Sequence, residues 1–228
     1  MVSHQVQVKP GFTGLTFARV YNWFWTHIAS IADVREVINL RTLGSHLRKE
    51  FFVEDGYKIY EQKHAIYGDF KAGRYYIDES KFQELKSFEV KPGDLIISCS
   101  GTIGKVSVVP EDARPGIINQ ALLKITLDTK KIDRRFFKFV FESDFIKREV
   151  EAISPGSAMK NIGSVKILKK ILFPLPPLEE QLRIVAYLDS VQARLVSLRE
   201  LQSQTGEELD ALLPSVLRPS GGAFKGEL

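Results

Sequence analysis

The chain has 228 residues, 44% hydrophobic and 26% charged, with one cysteine and a net charge of +4. That composition excludes low-complexity disorder, an internal disulfide framework and a multi-cysteine zinc site. No run approaches about 18 uncharged apolar residues, and no basic segment followed by a long apolar one opens the chain. Neither a membrane span nor a secretory signal is therefore expected, and the expected compartment is reducing and cytoplasmic.

The charge is unevenly spread. Residues 174–228 carry five Lys/Arg against eight Asp/Glu, a net of −3, which leaves +7 on residues 1–173. A basic first part and a mildly acidic second part imply two regions with different partners.

In chain order, residues 1–33 form a lead-in with no assigned element. Its Tyr21-Asn22-Trp23-Phe24-Trp25 cluster suits packing on a neighbouring element or on a partner. Residues 34–173 read as one mixed α/β (α+β) globular domain. Strands are predicted at 57–60, 74–77, 95–99, 106–109, 121–127 and 165–173, and a strand or short helix at 37–43. Lys91-Pro92-Gly93-Asp94 and Ser100-Gly101-Thr102-Ile103-Gly104-Lys105 are turns, the second closing a hairpin-like unit. A helix is predicted over 78–85 with Asp78 or Ser80 as its N-cap. Phe136, Phe137, Val140, Phe141, Phe145 and Ile146 predict one amphipathic helix over 133–153, followed by a small-residue loop at 154–158.

Pro174-Leu175-Pro176-Pro177 is a stiff joint through which no helix can run. Beyond it, Ile184, Leu188, Val191, Leu195 and Leu198 recur at spacings of four and three. Gln202 and Thr205 keep the register, and Leu209, Leu212 and Val216 resume it. This is a coiled-coil seam. The predicted helix spans 178–213, about 50 Å; Gly206 weakens it, and Pro214 and Pro219 close it, which leaves Val216 outside the regular helix. Residues 174–228 thus read as a long helical spacer whose stripe pairs with a helix from another chain.

A catalytic constellation is not visible. Gly101-Thr102-Ile103-Gly104-Lys105 has the wrong spacing for a phosphate loop, and Val106 follows the lysine where a hydroxyl is needed. His4, His27, His46 and His64 are scattered, Glu89, Lys91 and Asp94 have no nuclease spacing, and Cys99 and Ser157 lack a base. No catalytic residue, metal or cofactor is expected. What remains is a binding surface. Lys58, Gln62, Lys63, His64, Tyr67, Lys71, Arg74 and Tyr75 crowd one stretch, and Thr102, Lys105, Gln120, Ser157, Lys160 and Asn161 add hydroxyls, amides and cations. Such side chains suit base edges and phosphates of double-stranded DNA.

The run Leu172-Phe173-Pro174-Leu175-Pro176-Pro177-Leu178-Glu179-Glu180-Gln181-Leu182-Arg183-Ile184-Val185 resembles the conserved region of the DNA-specificity subunits of type I restriction–modification systems. There, a P-L-P-P-L-x-E-Q-x-x-I-V run opens a long helix. Val90–Ser98, Ser100–Lys105, Gly116-Ile117-Ile118-Asn119-Gln120-Ala121-Leu122, the Gly156-Ser157 loop with Asn161-Ile162, and the endings Leu209–Leu217 and Ala223–Leu228 resemble the same family. The resemblance covers roughly residues 35–228. It implies a non-catalytic subunit whose target recognition domain reads a few base pairs. Its helices space the readers and dock methyltransferase (modification) subunits, and a motor subunit joins for restriction. Members usually carry two recognition domains and two conserved helical regions, whereas this sequence has one of each. It therefore looks like a half-subunit expected to pair antiparallel as a homodimer on a bipartite, palindromic target. The residues leave open a protein-only assembly adaptor and a truncated, inactive fragment.

Overall fold

The computed structural model describes residues 23–36, 47, 49–99, 102–153 and 168–216; for 34–36, 151, 153 and 213–216 only the backbone course is described. The expected element at 37–43 and the loop at 154–158 lie outside the described residues. The chain divides into two units, one ending at Leu182 and the other beginning at Arg183.

Among the described residues the first unit holds three sheets. β1 (Phe24–His27) pairs antiparallel with β10 (Leu172–Leu175), setting Trp25 opposite Pro174. Proline has no N–H to give a ladder and is tolerated on an edge strand such as this one. Residues left unassigned by sequence thus enter the fold, and the Trp25 ring packs 5.6 Å from Phe145.

The second sheet has the order β2-β9-β6-β7, all antiparallel, from β2 (Ala32–Glu36), β9 (Leu122–Leu127), β6 (Leu95–Ser98) and β7 (Val106–Val108). The third has the order β4-β3-β8-β5, from β4 (Tyr76–Ile77), β3 (Tyr57–Tyr60), β8 (Gly116–Ile118) and β5 (Glu89–Val90). Its β3–β8 pair is parallel. Strands β1, β2, β5 and β8 are additions to the predicted set. The strand predicted at 57–60 has the same ends as β3, and the other predicted strands within the described residues are present with shifted ends, the one expected over 165–173 beginning only at Leu172.

Short helices cover the sheets. α1 (Gln62–Tyr67) follows β3, and α2 (Glu79–Glu84) is N-capped by Asp78, whose carboxylate accepts from the Lys81 N–H. A core of Ile59, Tyr60, Ala65, Ile77, Phe82, Ile96, Ile117 and Leu122 joins both four-stranded sheets. Burying such side chains contributes roughly 1.5–3 kcal/mol each.

The single helix expected over 133–153 is two helices, α3 (Arg134–Glu142) and α4 (Asp144–Ile153). Ser143 turns to an extended ψ of 159°, and both its N–H and its hydroxyl donate to the Val140 carbonyl. Serine competes in this way with helical bonding. On α3, Phe137 stacks on Phe173 of β10 at 5.0 Å and on Phe141 at 5.5 Å.

The Lys91–Asp94 turn is held by a buried charge network. The Asp94 carboxylate accepts from the Lys91 N–H at 2.9 Å and the Thr126 hydroxyl at 2.6 Å, and lies 3.5 Å from the Lys124 ammonium. Lys124 also donates to the Glu89 carbonyl at 2.6 Å. The two buried charges thus meet each other and further polar partners, as burial of an ion pair requires.

Gln181 of the proline-rich motif is fully buried in this unit. Its side-chain oxygen accepts from the Asp133 N–H at 2.8 Å, and its amide donates to the Lys131 and Pro176 carbonyls at 2.9 and 2.8 Å. These bonds carry the first unit past Pro174 and into the first turn of the last helix.

The described residues of the second unit are helical. α5 runs from Leu178 to Val216, 39 residues, about 58 Å. It passes the expected stop at 213 and carries Pro214 in its last turn, so Val216 lies inside the helix. The seam residues Leu195, Leu198, Leu209 and Leu212 are 50–58% exposed, while Ile184, Leu188 and Val191 are half-buried.

Candidate nucleic-acid interface

Within the described residues, the predicted DNA-facing residues fall on helix α1, on three loops and, for Lys58, on strand β3. α1 is short and polar, and its ends make it a helix. At the start, the Glu61 side chain takes the backbone N–H of the third helical residue, His64, while His64 Nδ1 takes the Glu61 N–H at 2.8 Å. At the end, Gly68 adopts φ +71°, and its N–H donates to the His64 carbonyl; a side chain would be strained in this left-handed cap.

Three contacts gather the other loops around it. The Asn119 N–H donates to the Tyr60 carbonyl at 3.0 Å, next to the start of α1, and the Cys99 N–H donates to the Ala121 carbonyl at 2.9 Å. A Cβ on Gly73 would lie 3.5 Å from Lys63 Cε, so the 73–75 segment runs beside α1. Gln62, Lys63, Arg74, Gln120 and the 102–105 turn therefore belong to one neighbourhood.

Their exposure differs. Tyr67 is 79% exposed. Lys71, Arg74, Thr102, Lys105 and Gln120 are exposed, and Gln62, Lys63 and Tyr75 are half-buried. The Arg74 guanidinium lies 5.7 Å from the Tyr75 ring centre. Lys63 pairs with Glu61 at 3.2 Å, and Lys105 reaches Glu142 at 4.0 Å. Glu142 also accepts the Val106 N–H at 2.8 Å, which covers the edge strand β7. Asp69 folds the loop by accepting the Ala72 and Lys71 N–H groups, each at 3.0 Å, and these bonds hold its carboxyl below the usual range.

Two expected contacts need correction. Lys58 is buried on the sheet, where its ammonium donates to the Phe70 carbonyl at 2.5 Å and the Lys71 carbonyl at 3.1 Å; burial lowers its pKa. His64 is fully buried, with Nε2 on the Ala72 carbonyl at 2.7 Å and its pKa lowered by burial. Both shape the loop from behind, because β3 is buried between its neighbours and α1 turns the histidine inward. Ser157, Lys160 and Asn161 lie outside the described residues.

Helix α1 is absent from the elements predicted by sequence, and Gly68 at its cap is its one legible mark. Among the described residues no group of three His, Cys, Asp or Glu side chains is placed to hold a metal ion, and no helix is long and apolar enough to cross a membrane.

The arrangement offers a basic, amide-rich and aromatic surface beside a mixed sheet, followed by a long helix. The sequence model of the family described as type I restriction modification DNA specificity domain matches residues 28–205. The chain belongs to that family. The match reaches into both units of this specificity-domain protein, from the residue after β1 to well inside α5. The chain is similar to the type I restriction enzyme MjaVIII specificity subunit of Methanocaldococcus jannaschii, at 22% identity over 185 residues, which is 79% of this chain and 42% of that protein. It is similar to the type I restriction enzyme EcoBI specificity subunit of Escherichia coli at 28% identity over 145 residues, 64% of this chain and 30% of that one. The crystal structure of the HsdS subunit from Thermoanaerobacter tengcongensis shares the fold at a TM-score of 0.55 and 20% identity, over 94% of this chain and 46% of the HsdS chain. This specificity-domain chain thus spans less than half the length of these relatives. Its fold class is the expected one, mixed α/β with a long C-terminal helix.

Proposed function

We propose that the chain is a DNA sequence-specificity subunit of a type I restriction–modification system, in a half-length form. Residues 34–173 are the target recognition domain, and α5 is the spacer and pairing helix. The observation that carries this reading is a family match that runs continuously through the reader and into the helix. The half-exposed seam of Leu195, Leu198, Leu209 and Leu212 supports pairing with a second copy, because a stripe of that length has nothing to pack on within a single helix. Two copies in antiparallel pairing carry a reader at each end, and a closed two-fold dimer reads a bipartite site.

In this reading the exposed set of α1, the 71–75 segment, the 102–105 turn and Gln120 meets base edges and phosphates, with Tyr67 supplying an aromatic face. The subunit performs no chemistry of its own. Methyltransferase subunits dock on the helices and do the modification, and a motor subunit joins for restriction.

The test uses the full chain. Light scattering should give twice the 25.8 kDa chain mass, and Leu195→Asp with Leu198→Asp should halve it. Together with its methyltransferase subunit, the wild type should bind and methylate DNA at one defined sequence. A monomer in concentrated solution sinks the pairing, and absence of sequence-selective binding sinks the DNA reading.

A further inference from the structure

The apolar face of α5 is wider than its seam. Leu201 lies off the seam and is 56% exposed, as much as the seam leucines themselves. Arg194, Leu201 and Glu208 recur every seven residues, so they form one row along a flank of the seam, each just ahead of a core position. Arg199 lies on the other flank. Arg194, Arg199 and Glu208 are all exposed, and none of the three has an ion-pair partner among the described residues. Within the seam, the Thr205 hydroxyl donates to the Leu201 carbonyl of its own helix at 2.9 Å, so Thr205 can be covered without orphaning a donor.

These residues distinguish the ways of laying α5 on a second copy of itself. Flanking charges face one another across such a seam and set orientation. In parallel helices each flank faces the opposite flank of the partner, and Arg194 meets Arg199 twice. In antiparallel helices each flank faces its own kind. With the seams overlapped in full, Arg194 of each copy faces Glu208 of the other, and Leu201 meets Leu201 on the two-fold axis. Sliding by one heptad breaks both ion pairs and sets Leu201 against Glu208 in one direction and against Arg194 in the other.

Full overlap also has costs. Arg199 meets Arg199 across the axis, one like-charge pair against two opposite ones, and long exposed side chains can turn away from each other. Glu200 and Glu207 lie on the side away from the seam and face water. In the core, Leu198 lies opposite Gln202 and Leu195 opposite Thr205. The two Gln202 side chains fall in adjacent layers on either side of the axis, where one amide reaches the other. A polar residue at the core of a coiled coil lowers stability and specifies register.

We infer that α5 pairs with α5 of a second copy in a single antiparallel register, the one of full overlap, selected by two Arg194–Glu208 ion pairs and by Leu201 meeting Leu201 on the axis. The inference rests on the pairing proposed above and adds to it the residues that set its sense and its register.

The test measures self-association of the full chain by sedimentation over a concentration series. Arg194→Glu and Glu208→Arg should each weaken the dimer roughly tenfold, since each turns two opposite pairs into like ones. The two variant chains mixed in equal amounts should associate as tightly as wild type, because both ion pairs form again in the mixed dimer. Near 1 M salt these differences should vanish. Arg199→Gln should tighten the dimer, and Leu201→Cys should give a covalent dimer with a short bismaleimide where wild type, with Cys99 alone, gives none. Tightening by Arg194→Glu overturns the inference, since a parallel pair would gain a partner for Arg199. A mixture no tighter than its two components overturns the register. A wild-type dimer indifferent to both charge changes overturns the register and leaves the pairing standing, whereas a wild type that stays monomeric overturns both.

Discussion

Both ring nitrogens of His64 are committed to backbone groups, one at the start of α1 and one in the loop beyond it. The Glu61 N–H donates to Nδ1, which must therefore be unprotonated, and Nε2–H donates to the Ala72 carbonyl. This tautomer pins the loop that presents Tyr67 and Lys71, so His64 is a positioning residue in the proposed reader. A proton on Nδ1 removes the acceptor for Glu61, and burial already holds the imidazole pKa below its ordinary value of 6.5. As the pH falls, the unfolded chain takes up its proton first, so stability is full above about pH 6.5 and is lost from there down to the folded value. Denaturant titrations at pH 7.5 and pH 5 should show that loss in the wild type. His64→Gln should lower stability at the higher pH by about 1–3 kcal/mol, because it leaves buried groups poorly paired, and should shrink the difference between the two pH values. An undiminished pH difference in the variant would show that other groups carry it.

At the scale of elements, α5 stands out for its length and for a glycine at position 206 where no neighbour demands one. A Cβ placed on Gly206 meets no atom within 4 Å, so Gly206→Ala should stabilise the helix by about 1 kcal/mol. The measurement is the helical thermal transition followed by far-UV circular dichroism, which should move upward. A downward shift would mean that a second helix approaches closely at that point. How far each element is legible in the sequence follows from what stabilises it. The strands at 95–98 and 122–127 are nearly continuous apolar runs because both faces are covered, and such runs are legible. Helix α1 has no apolar period; Gln62, Lys63 and His64 form a helix because caps at both ends hold them, and pattern cannot show that. The break at Ser143 is invisible for a related reason, since Phe141 and Phe145 keep the stripe in phase across it. The burial of Lys58 depends on the parallel pairing of β3 with β8, a contact between residues far apart in the chain.

For the molecule as a whole, the proposed pairing turns the helix into a ruler and the protein's symmetry into a rule about its target. A two-fold dimer presents the same residues at both ends, so the two half-sites must be the same sequence read in opposite directions. Steps inside α5 do not alter that conclusion, because any change in one copy is repeated in the other. The helix length then bounds the gap. Its 39 residues measure about 58 Å, or roughly 17 base pairs at 3.4 Å per step. The bound is an upper one, since antiparallel helices that pair along their full seam bring the readers no farther apart than one helix length. A helix ending at 213, as the prolines predict, sets it near 16, and the continuation through Pro214 to Val216 raises it. Mapping methylated positions across the source genome should reveal one inverted-repeat target with a non-specific gap at or below that bound. An asymmetric target would require two different readers and therefore a second, different specificity chain. A symmetric target with a longer gap would require that the helices meet only near their ends. Either finding would revise the proposed assembly without touching the proposed recognition domain, whose contacts with a half-site would be the same in each arrangement.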